Sequence, residues 1–288
     1  MNRTVPTLAA LFVLFVASFA CTLPNTASPT PTPTSPPESV PTLTPQPPAP
    51  TDTSAPSGVP ISFAGISFTI PLGVASGAGP ESVAAVSDSN GPGWDVAPAH
   101  TKFSIQNYPL QDTFLKPEIY VYPAAEYEAA NNGAAISLER LRALTSGVGM
   151  DVNNDTLPYV PFFNAGQTFV AQTLLIKFQN GSGVRMVTQY DQAYIPVNNH
   201  EVIYHFQGLT DDGKYYVIAI FPIHSVNLPA EGNPDLPVPD GGVPFNQDDP
   251  AAYFDAITQV MNNAAPESFT PSLATLDALI QSLNIGAP

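Results

Sequence analysis

The four histidines are the first residues to ask for chemistry, because an imidazole serves as base or metal ligand near neutral pH. They stand at positions 100, 200, 205 and 224. His200 and His205 are five apart in HEVIYHF, on or beside one expected strand, where an odd spacing turns side chains to opposite faces. The same spacing misses the i, i+4 pair of a helical HExxH zinc site. His205, between Tyr204 and Phe206, reads as a hydrogen-bonded sheet residue rather than a base. Calcium wants oxygens, and DVNNDT offers Asp151, Asn153 and Asp155 at alternating positions, as a calcium loop would. The run then has Thr156 where a loop glycine belongs and Phe162 where a bidentate glutamate belongs. Calcium at 151–155 is therefore the one metal expectation, and no other cofactor is called for. A second acidic loop, 230–249, holds Glu231, Asp235, Asp240, Asp248 and Asp249 without ligand spacing.

Nucleophilic and phosphate chemistry find less. There is no GxSxG, and NGSGVR (180–185) reads as a turn between strands rather than a phosphate cradle at a helix start. Glycoside hydrolysis needs two carboxyls astride the bond, and spacing singles out no pair. What remains is aromatic. LPYVPFFNAG sets Tyr159, Phe162 and Phe163 among prolines, and GPGWDV carries the single tryptophan, Trp94. Rings on stiff loops stack on sugars or anchor a peptide or protein at low entropic cost, and they also plug the ends of sheets. These four residues are the candidate ligand-binding set.

The elements that must position them are legible in outline. ISFAGISFTIP (61–71) alternates like a strand, and TKFSIQNY (101–108) and PEIYVYP (117–123) follow. TFVAQTLLIKFQ (168–179) and VRMVTQYDQAYI (184–195) flank NGSG as a hairpin. EVIYHFQGLT (201–210) and KYYVIAIFPI (214–223) flank DDG as another, so the four make an antiparallel meander. In 214–223 both parities are apolar, Tyr215, Val217, Ala219 and Phe221 against Tyr216, Ile218 and Ile220. Such a strand must be covered on both faces. Helices are expected over 123–147, with a split at Asn132-Gly133, over 248–263 with Asp249 as cap and Pro250 behind it, and over 270–284 with Thr270 and Pro271 in those roles. Their apolar stripes are Ala134, Leu138, Leu141; Tyr253, Ile257, Val260; and Leu276, Leu279, Ile280, Leu283. The fold class is α+β: an antiparallel meander flanked by helices, one domain over 59–288.

Cys21 is the only cysteine in 288 residues, and its place is informative. Arg3 and an apolar run from Leu8 to Ala20 precede it, too short to span a bilayer of roughly 20 helical residues. That is the build of an export signal over 1–20. The SFAC stretch resembles a bacterial lipobox, with Ala20 before Cys21, although Ser18 stands where leucine is usual. The resemblance implies a lipid on Cys21. Small residues at 18 and 20 also suit an ordinary secretory cut, which leaves secretion as the alternative. A lone thiol in an exported chain is otherwise a liability. Residues 22–60 then carry 13 prolines and 9 threonines. Proline stops helix and sheet, so 21–58 is expected to be a disordered, polyproline-like tether at ~3.1 Å per residue, reaching on the order of 100 Å.

Composition limits the partners. With 24 acidic against 8 basic residues the formal charge is −16, which repels nucleic acid and anionic lipid alike. Any membrane attachment must then be covalent or apolar. The order of elements, with Phe68, Pro71 and Gly73 closing the opening strand and a helix closing the domain, resembles the PsbP-like fold. That resemblance implies an accessory or binding role. The expectation is a lipid-anchored extracytoplasmic protein of the cell envelope, a noncatalytic module for a glycan, peptide or envelope protein. A hydrolase of envelope or extracellular polymer, and an accessory subunit of an envelope complex, are the alternatives.

Overall fold

The computed structural model describes residues 57–87, 92–147 and 152–286. All of them belong to one compact unit, Ser54–Pro288. Its centre is a fully antiparallel sheet of seven strands in the order β3-β4-β5-β9-β8-β7-β6. These are β3 (Gly77–Val83), β4 (His100–Gln106), β5 (Glu118–Pro123), β6 (Gly166–Phe178), β7 (Gly181–Asp191), β8 (Ile203–Thr210) and β9 (Tyr215–Pro222). The expected meander is present as β6 to β9, and β5 joins it by pairing with β9. The α+β class stands.

Both faces of β9 are covered, as its two apolar parities require. Val217, Ala219 and Phe221 enter one core with Tyr253, Ile257 and Met261 of α3 (Pro250–Asn263) and Leu276, Leu279 and Ile280 of α4 (Leu273–Gln281). Tyr216, Ile218 and Ile220 enter a second core with Leu138 and Leu141 of α2 (Asn132–Thr145), which follows α1 (Ala124–Ala130). Each of the large aliphatic side chains among them, removed from water, contributes roughly 1.5–3 kcal/mol. The first core is also closed by β1 (Gly58–Phe63) and β2 (Ile66–Pro71), whose Ile66, Phe68 and Ile70 are buried. β12 (Asn284–Ile285) pairs with the other side of β2, and β10 (His224–Ser225) pairs with β11 (Phe269–Thr270).

Several boundaries differ from expectation for physical reasons. The run 61–71 is not one strand but the end of the first arm, the turn and the second arm of a hairpin. Ala64 and Gly65 both take positive φ, 48° and 74°, the two-residue turn that matches strand twist. The β6–β7 loop is Gln179-Asn180, and Gly181 to Gly183 are strand residues. A Cβ on Gly183 would strike the Gln207 carbonyl and the Phe206 ring, so the glycines serve close packing rather than the turn. β7 stops at Asp191, and 192–195 leave the sheet. The helical split falls at Asn131, whose Oδ1 accepts from Ala134 N at 3.1 Å and whose Nδ2 donates to the Val96 carbonyl at 2.9 Å. Asp249 caps α3 as expected, accepting from Ala252 N at 3.1 Å. Thr270 does not cap α4: it is taken by β11, and Ser272 caps instead, accepting from Thr275 N at 3.2 Å.

Candidate functional site

A groove runs along the β6 end of the sheet in three connected lobes. The first, about 630 Å³, lies between Phe114, Phe162, Phe163, Ile195 and Glu201. It shares Asp191, Gln192 and Ala193 with the second, about 1010 Å³, whose walls include Gln167, Tyr194 and Phe254. The second shares Asn154, Thr168, Phe254 and Asp255 with the third, about 590 Å³, which ends at Thr173, Thr258 and Asn262. Strand residues 166–170 and residues of α3 line the second and third lobes, and the segment 152–155 joins them at the third.

Asp191, where the first two lobes meet, is held by a buried polar relay. Its Oδ2 accepts from Gln189 Nε2 at 2.9 Å and from Thr168 Oγ1 at 3.2 Å. Gln189 Oε1 accepts the Asn198 backbone N–H at 3.0 Å, and Asn198 Nδ2 donates to Glu201 Oε2 at 2.9 Å. Gln189 and Asn198 are fully buried. The relay fixes one oxygen of each carboxyl and sets the two carboxyls beside each other. Burial, with the neighbouring Glu201 carboxyl adding to it, pushes Asp191 from 3.8 up to about 6, against the hydrogen bonds from Gln189 and Thr168.

Of the candidate rings, the structure brings Phe162 and Phe163 into the groove, edge to face with centroids 5.2 Å apart. Phe163 meets Tyr190 in turn, at 5.1 Å. Tyr159 is not among the lining residues: half-buried, it sits under the Arg140 guanidinium, and its carbonyl accepts from Ser137 Oγ at 2.7 Å. Trp94 is also apart, on a short 3₁₀ turn whose carbonyl accepts from Asn131. Two strongly exposed rings do line the groove, Phe114 at 63% and Tyr194 at 69%. They went unremarked in the sequence because Phe114 stands alone between strands and Tyr194 reads as part of the expected strand 184–195, which the structure ends at Asp191. Glu201 and Asp191 likewise become a pair only when β7 and β8 fold together.

Asn153 and Asp155 line the third lobe, and Asp151 lies outside the described residues. The Asn153 Oδ1 accepts from the backbone N–H of Asp155 at 2.9 Å and of Thr156 at 3.2 Å, so it closes a turn. Among the described residues no three His, Cys, Asp or Glu side chains gather as a metal site. His205 is fully buried between Gln207, 2.9 Å from its Nε2, and Tyr190. Desolvation holds it neutral, its pKa lowered to about 3. His200 lies outside the sheet, its Nδ1 3.0 Å from the Asp112 carbonyl, so the two histidines share no site.

Cys21, the signal-like run and most of the proline-rich stretch lie outside the described residues. Among the described residues, no helix is long and apolar enough to cross a membrane. No family model, curated protein or solved structure matches the chain. The class that fold and site define is an α+β domain with an acidic, aromatic groove at one edge of its sheet.

Proposed function

We propose that this chain is a lipid-anchored, extracytoplasmic binding module: Cys21 carries the lipid, residues 22–58 act as spacer, and the groove takes the ligand. One observation carries the reading of the groove. Phe114 and Tyr194, large rings that a core has not claimed, stand exposed in adjoining lobes with Asp191 at the junction. Rings placed so, on either side of a fixed polar centre, are the build of a recognition site. Thermal unfolding of the full-length protein tests it, with calcium, EDTA, oligosaccharides, peptidoglycan fragments and peptides as additives. A ligand that binds the native state raises the melting temperature. The reading fails if every class leaves the transition unmoved. Cys21→Ser tests the anchor: the protein leaves the membrane fraction if lipid holds it there, and retention overturns the assignment.

A hydrolase of an envelope or extracellular polymer is the second reading, and Asp191 favours it. A carboxyl that keeps its proton to about pH 6 beside another carboxyl is a pairing acid–base hydrolysis uses. Release of new reducing ends or amines from the stabilising ligand, lost in Asp191→Asn, supports that reading. Stabilisation without product supports binding alone.

A further inference from the structure

We propose that the occupant of the groove is an extended, basic peptide segment of a partner protein, added as a further strand to the free edge of β6. This rests on the groove being the binding site and names its ligand.

The first ground is the nature of the wall. β6 is the end of the sheet, and among the described residues it pairs only with β7. Gly166–Val170 and Thr173 line the second and third lobes, so this side of the groove is a strand edge. Along such an edge, alternate residues turn N–H and C=O groups away from the paired strand. The Gln167 carbonyl accepts from the Asn154 amide, in the neighbouring segment, at 3.4 Å. Opposite stands α3, which presents Phe254, Asp255, Thr258 and Asn262 along one side of the helix. A slot between a strand edge and a helix fits a peptide in β conformation: backbone bonds give affinity, and alternate side chains reach the two walls.

The slot also has an end. At the bulge after Ala171, Gln172 takes φ 55°, its N–H donates to Asn262 Oδ1 at 2.6 Å, and its amide donates to the carbonyls of Met261 and Ala264 at 2.8 Å each. There α3 closes onto the strand, so residues 166–171, offset once by a bulge at Thr168, are the stretch left for pairing, roughly 20 Å at strand rise.

The second ground is charge. The three lobes contain the carboxyls of Asp155, Asp191, Glu201 and Asp255, and among the described residues no lysine, arginine or histidine lines them. An acidic peptide is repelled by this slot. A lysine or arginine finds carboxylates and the faces of Phe254 and Tyr194 together. A sugar chain would use the rings and amides but not the strand edge.

The test is fluorescence anisotropy of labelled peptides of alternating valine and lysine, titrated with the full-length protein. The expected result is saturable binding, at least about tenfold weaker when glutamate replaces lysine, and weakened by salt. Backbone N-methylation separates strand pairing from charge alone, since one edge uses alternate N–H groups only. Methylating one alternate set costs at least about tenfold, and methylating the other less than about twofold. Thr258→Arg, a half-exposed position on the α3 wall, abolishes binding. Equal effects from the two methylated sets, equal binding of the glutamate peptide, or indifference to Thr258→Arg each overturn the proposal. If oligosaccharides bind and no peptide does, the peptide falls and the groove stands as a binding site. If nothing binds, both fall.

Discussion

The seven-stranded sheet has two ends, and they are built on opposite plans. At one end β3 carries Pro80 at its middle, with no N–H to offer, and Glu81 ion-paired to Lys102 at 3.1 Å. Pro80, Glu81 and Ser82 are exposed. Proline and charge are the common means of making an edge unfit for pairing. At the other end β6 has no proline, and its first half lies recessed between α3 and the 152–155 segment. The strand is bulged at Thr168 and again after Ala171, and its far half is anchored through Gln172 and carries Lys177. The difference teaches that an edge can be protected in two ways, by disabling its donors or by walling them. Only the walled edge stays competent for one well-shaped partner.

Breaking the support of the walled edge has the largest expected effect. Asp277 of α4 receives Arg185 Nε at 3.1 Å and Nη2 at 3.0 Å, and the Tyr204 hydroxyl at 2.9 Å, while Arg185 also donates to the Gln172 carbonyl. Asp277→Ala leaves a buried guanidinium unpaired and is expected to cost about 3–5 kcal/mol in urea unfolding. Gln172→Ala comes next. Losing its amide bonds to α3 should cost about 1–3 kcal/mol and speed amide exchange over 166–171, with β3 and β4 unchanged. Uniform acceleration across both edges would show that the bulge is no local anchor.

Asp191→Asn probes the junction of the lobes through pH. The folded-state pKa is raised from 3.8 to about 6. Its stabilisation is therefore complete below about 4 and lost as pH rises through 6, where the native state must ionise a half-buried carboxyl beside Glu201. The variant should match wild type at pH 3.5 and unfold at a higher temperature at pH 7. An unchanged difference across that range would place Asp191 in solvent. The smallest effect on stability is expected at the disabled edge. Pro80→Val should alter unfolding by no more than about 0.5 kcal/mol, yet increase self-association in sedimentation, because it restores a donor to an exposed edge.

How much of this was legible depended on whether a feature is local. The two-faced apolarity of 214–223 predicted cover on both sides, and two cores lie there. Asp249-Pro250 marked the start of α3 because capping is settled within four residues. β3 left no trace, since GAGPESV has neither alternation nor a β-branched run, and its pairing with β4 supplies the order. The first hairpin was legible in one detail that the strand reading passed over: across Ala64-Gly65 the apolar positions change parity, from 61 and 63 to 66, 68 and 70. Phe162 and Phe163 were visible as a ring cluster. Asp191, Glu201, Phe114 and Tyr194 were not, because the three stretches that carry them meet only after the chain has folded.

The pairing of β12 with β2 bears on the order in which the chain can become stable as it is made. Residues 58–71 are synthesised early, yet their third strand is 284–285, and the Gly286 N–H bonds to the Gly65 carbonyl at 2.9 Å. β5 likewise waits for β9 across nearly a hundred positions. Contacts so distant in sequence delay folding until the late segments emerge. A nascent polypeptide of this topology therefore stays open while it is being translated, which is the state a chain needs if it is to be threaded through a membrane channel and to fold on the far side.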